Sequence, residues 1–82
     1  MTAGKWDIGF ERLRRVVQRF ESAHSVDLAI TEDKGGRVLV ADQSKGKLVE
    51  FTHDRVEDCG AASQEHADAG LERVKTVLNR LL

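Results

Sequence analysis

Proline and tyrosine are absent from these 82 residues, and methionine, tryptophan and cysteine occur once each. Without proline, nothing in the sequence forces a helix or strand to break. The single cysteine, Cys59, excludes an intramolecular disulfide, so a secreted, disulfide-stapled scaffold is not expected. Long apolar runs are missing too. The longest is Val38 to Ala41, where a membrane-spanning helix needs roughly 20 residues. Met1 to Trp6 contains no apolar stretch of the signal-peptide kind, which points to a cytoplasmic protein. Net charge is only −1, so there is no global attraction to nucleic acid or to an anionic membrane. The composition, 40% hydrophobic and 33% charged, is that of an ordinary globular domain. A chain this short makes one small domain, residues 1–82, with little core to spare.

The pattern of apolar residues gives the architecture. Trp6, Phe10, Leu13, Val17, Phe20 and His24 recur every three or four residues, with Val16 widening the stripe, which is one face of a helix. Asp7 and Thr2 are both candidate caps for its start. From Ser25 the period changes to two. Val26, Leu28 and Ile30 alternate with Asp27, Ala29 and Thr31, predicting a strand with one buried face. A turn at Glu32 to Gly36 leads into Arg37 to Asp42, apolar on both faces and so suited to the middle of a sheet. A second turn, Gln43 to Gly46, leads into Lys47 to His53, which buries either Val49 and Phe51 or Leu48. Residues 53–62 read as irregular, with Val56 a candidate fourth strand. Ala67, Leu71, Val74, Leu78 and Leu81 mark a second helix over about 62–82, with Ser63 or Asp58 as its cap. Gly70 costs this helix about 1 kcal/mol relative to alanine; either close approach of Trp6 or Phe10 compensates, or the glycine is exposed and tolerated. The expected fold is α+β, in the order α-β-β-β-α: a three-stranded antiparallel meander with two amphipathic helices packed on one face.

Charge is unevenly spread. Residues 1–22 carry net +2, residues 48–72 net −6 and residues 73–82 net +3. Acids early and bases late in the second helix suit the helix dipole. The acidic residues Glu50, Asp54, Glu57, Asp58, Glu65 and Asp68 also make a candidate patch for a basic protein partner. On the first helix Arg12, Arg15 and Arg19 form one ridge, a candidate phosphate contact, with Glu11 and Glu21 close by.

The order of elements is also that of double-stranded RNA-binding domains, and Ser63-Gln64-Glu65-His66-Ala67 resembles the start of that family's last helix, Ala67 matching a small residue packed there. The resemblance covers the topology and these few residues, and implies RNA binding. Where the family grips phosphates with lysines, however, this chain has Gln64, Glu65 and Asp68, which repel them. Catalytic signals are weak. Cys59 lies near His53 and His66, but Asp54, Glu57 and Asp58 surround it, and negative neighbours raise a thiol pKa. His53, Cys59 and His66 lack the paired spacing of structural zinc, so neither metal nor cofactor is expected.

The reading favoured is a small non-catalytic interaction or regulatory module, homodimeric through the first helix, with a nucleic-acid-associated domain as the alternative. That helix measures about 27 Å at 1.5 Å per residue, against about 20 Å for a six-residue strand. It should therefore overhang the sheet and offer Trp6, Phe10, Leu13 and Val17 as an interface.

Overall fold

The computed structural model describes residues 4–33 and 35–82. The chain runs through α1 (Lys5–His24), β1 (Leu28–Glu32), β2 (Val38–Asp42), β3 (Lys47–Phe51), α2 (His53–Cys59), α3 (Gln64–Leu78) and a closing 3₁₀ turn, Asn79–Leu81. It is a mixed α+β fold whose three strands form one antiparallel sheet in the order β1-β2-β3. Among the described residues no helix is long and apolar enough to cross a membrane.

In α1 the apolar stripe delivers Leu13, Val16, Val17 and Phe20 to the core. Neither candidate cap begins the helix. Gly4 holds the cap position and donates its N–H to Asp7 Oδ2 at 3.3 Å, while Thr2 lies outside the described residues. Ser25 closes the other end in a left-handed conformation, φ 52°, with its N–H bonded to the Glu21 carbonyl.

The sheet follows from the alternation. Ile30 pairs with Val40, and Val40 with Val49, so one face carries the strand residues that meet the helices. Val38, Val40, Val49 and Phe51 are buried there, and Leu48 on the opposite face is 57% exposed. The two-faced strand is the central one. Asp42 ends it at 1% exposure, its Oδ1 accepting from the N–H groups of Ser44 and Lys45 at 2.9 and 3.3 Å. That carboxylate pins the turn into β3.

The irregular stretch expected at 53–62 is instead α2, and Val56 is a helical residue, not a strand. Seven residues do not hold a helix alone. Val56 and Cys59, three apart on one face, are buried between α1 and α3. The helices approach so closely because side chains are missing where they cross. A Cβ on Gly9 of α1 would collide with the Val56 carbonyl, and one on Gly60 with the Lys5 carbonyl. Gly70 of α3 faces the backbone of Asp58 and Cys59, so its close neighbour is α2, not Trp6 or Phe10. The single final helix expected over 62–82 thus starts later, at Gln64. Ser63 caps it, accepting from the His66 N–H at 3.4 Å.

Candidate functional site

The N-terminal half of α1, expected to overhang the sheet, packs against α2. Trp6 stacks on His53 with centroids 4.4 Å apart and planes 7° from parallel, and Phe10 lies next along the stripe. Leu13 and Val17 belong to the chain's own core, and only Trp6 and Phe10 of the four expected interface residues stay half-exposed. His24, the last member of the stripe, rests its ring on Phe20 with centroids 4.3 Å apart.

The arginine ridge is not a free row of cations. Arg12 Nη1 donates to the Cys59 carbonyl at 2.9 Å, closing the C-terminal end of α2, where unpaired carbonyls favour a cation. Arg15 faces Glu11 at 3.6 Å. Arg19 borders a groove of about 620 Å³ between α1 and α3, whose rim also holds Lys75, Asp68 and Glu72. Mixed signs there give no charge preference. Four of the six acidic residues have close partners. Glu50 is held by Arg37 at 3.0 Å, Glu57 lies 3.6 Å from His53, Asp58 lies 3.3 Å from His66, and Asp68 accepts from Gln64.

Cys59 is buried, its thiol donating to the Arg55 carbonyl at 3.4 Å. Burial first, then the charge of Asp58, pushes its pKa up to about 11. It is therefore a protonated core residue at neutral pH. Ellman's reagent should leave it untouched in the folded protein at pH 8 and react fully in denaturant; rapid native reaction would show the thiol to be accessible.

The histidines and cysteine weighed as zinc ligands do not assemble, since the thiol faces Arg55 and His66 faces Asp58. His53, Asp54 and Glu57 do converge, with one ligand atom each within 4.8 Å of the others. Three donors on one turn fall short of the four of structural zinc. The one-turn spacing of His53 and Glu57, whose polar atoms lie 3.6 Å apart, and the preference of Asp54 for a helix start account for the cluster.

The outer edge of β3 is different. The Asp33 N–H bonds the Arg37 carbonyl at 2.7 Å and the Gln43 N–H the Asp27 carbonyl at 3.0 Å, so odd-numbered residues link β1 to β2. Antiparallel alternation then assigns the even-numbered residues of β2 to β3, bonded through Lys47, Val49 and Phe51. Leu48 and Glu50 therefore turn their N–H and C=O groups outward. Beside them lies a groove of about 530 Å³, with Val49 and Val77 among its lining, and Lys47, Arg55 and Arg80 around it. Among the described residues none of these three cations has an ion pair. The edge on the other side of the sheet is blunted. There the outward Leu28 N–H donates to Glu21 Oε2 at 2.8 Å, and Arg14 and Gln18 line the adjoining surface.

The sequence reading missed this groove. Its cations stand at positions 47, 55 and 80, in three different elements or their flanks, and no local spacing joins them. No family model, curated protein or solved structure matches the chain.

Proposed function

We propose that the chain is a non-catalytic protein-interaction module that receives an extended segment of a partner along β3. The supporting observation is the row of outward N–H and C=O groups at Leu48 and Glu50, beside an apolar-floored groove and the 57%-exposed Leu48 side chain. Strand addition uses such an edge: main-chain hydrogen bonds give affinity, and alternate side chains give selectivity. The nucleic-acid alternative has less behind it, because Arg12 is committed to the end of α2 and the first turn of α3 carries Glu65.

A phage-displayed random heptapeptide library, panned on the wild type and on Glu50→Pro, tests the proposal. Proline removes the outward N–H without breaking a rung to β2, and edge strands tolerate it. Peptides enriched on the wild type should lose at least tenfold in affinity for a variant whose circular dichroism is unchanged. Peptides that bind both proteins equally would place recognition elsewhere.

The homodimer keeps one supporting observation, the half-exposed Trp6 and Phe10. Sedimentation equilibrium at micromolar concentration should then show a dimer that Phe10→Glu dissociates. A monomeric wild type removes that part of the proposal.

A further inference from the structure

We infer that the segment received by β3 is an acidic strand of a different protein, with Asp or Glu at alternate positions and apolar side chains between them; this rests on the strand-addition reading above. Residues of an added strand alternate between the two faces of the sheet. On the helix side they meet the groove, where Lys47, Arg55 and Arg80 stand without an ion pair among the described residues. Carboxylates on that side gain three unspent cations. On the outer side they lie beside Leu48, which is exposed, and Glu50, whose charge Arg37 already engages at 3.0 Å. Apolar residues suit that side.

The same charges argue against a second copy as the occupant. Two β3 strands paired antiparallel about a two-fold at Val49 would bring both copies of Lys47, Arg55 and Arg80 to one side of the joint. The one acid lining the groove, Glu50, is paired and points to the opposite face. Like charges placed together act against association. Nor does the acidic reach of the chain's own sequence supply the strand, since Asp54, Glu57 and Asp58 are held in α2.

The probe is a fluorescein-labelled heptapeptide alternating glutamate and valine, read by fluorescence anisotropy at physiological ionic strength. Its companions are a glutamine–valine peptide, a lysine–valine peptide, and the glutamate–valine peptide N-methylated at alternate residues. The glutamate peptide should bind roughly tenfold more tightly than the glutamine peptide, and the lysine peptide more weakly still. The double variant Arg55→Glu and Arg80→Glu should reverse that order. Both side chains are exposed; should the double reversal fail to fold, Arg55→Gln with Arg80→Gln should abolish the preference instead. Equal binding of the glutamate and glutamine peptides would overturn the acidic partner and leave strand addition standing. Undiminished binding of the N-methylated peptide, or binding of no peptide at all, would overturn both. Self-association of the wild type that Glu50→Pro abolishes would make the occupant a second copy.

Discussion

Gly9→Ala should destabilise the protein by about 3 kcal/mol, lowering its melting temperature by roughly 15 °C in a domain of this size. The sign is the reverse of what an α-helix normally shows, where alanine is favoured over glycine by about 1 kcal/mol. The added methyl would land on the Val56 carbonyl, a backbone atom that no rotamer change can move, with the Gly60 nitrogen 3.1 Å away. Relief requires α2 to lift from α1. That lift exposes Val56 and Cys59 and breaks the bond from Arg12 to the Cys59 carbonyl. Ala23→Gly at an exposed position of the same helix should lose only about 1 kcal/mol. Calorimetry that finds Gly9→Ala as stable as the wild type would show that the helices do not cross this closely.

Phe51→Ala should cost about 4 kcal/mol, enough to leave a domain of this size at or near its unfolding midpoint. Phe51 is fully buried opposite Val38, itself fully buried, where β3 runs into α2. Truncation there opens a cavity between sheet and helices and loosens the strand proposed to receive the partner. Leu48→Ala, three positions earlier on the exposed face, should change stability by no more than about 0.5 kcal/mol. Urea denaturation of the two variants side by side is the check. Equal losses would mean that the faces of β3 are assigned the wrong way round.

Where a period repeats several times, the structure agrees with the sequence reading. Six positions spaced by three or four mark α1, and alternation over Val26 to Thr31 marks β1. Val38 to Ala41, apolar on both faces, is the central strand: side chains of both flanking strands lie beside Leu39 and Ala41 on the outer face and leave them only partly exposed. Residues 53–59 offer two buried positions, Val56 and Cys59, and two points define no period. What makes that segment helical lies far away in the chain, at Gly9 and Gly70, whose bare Cα atoms let it dock. A glycine within a helical pattern reads as a weakness until its neighbour is known.

The groove was hidden for a related reason. Residues 48–72 sum to −6, yet the face they border is cationic. Arg55 points there, while Lys47 and Arg80 come from outside that window. Glu50, Glu57 and Asp58 of that window sit against Arg37, His53 and His66. Summed charge along a chain says little about a surface assembled across it.

The bond from the Leu28 N–H to Glu21 also bears on how many strands this sheet can recruit. Endless side-by-side growth needs two receptive borders on every unit, so that each addition exposes a fresh one. Here α1 supplies a stopper to one border from its own last turns. Under the strand-addition proposal, an assembly built on this chain would end after a single step, with a valency of one. Glu21→Ala would remove the stopper, and the edge it uncovers is the place from which fibrous stacking would begin.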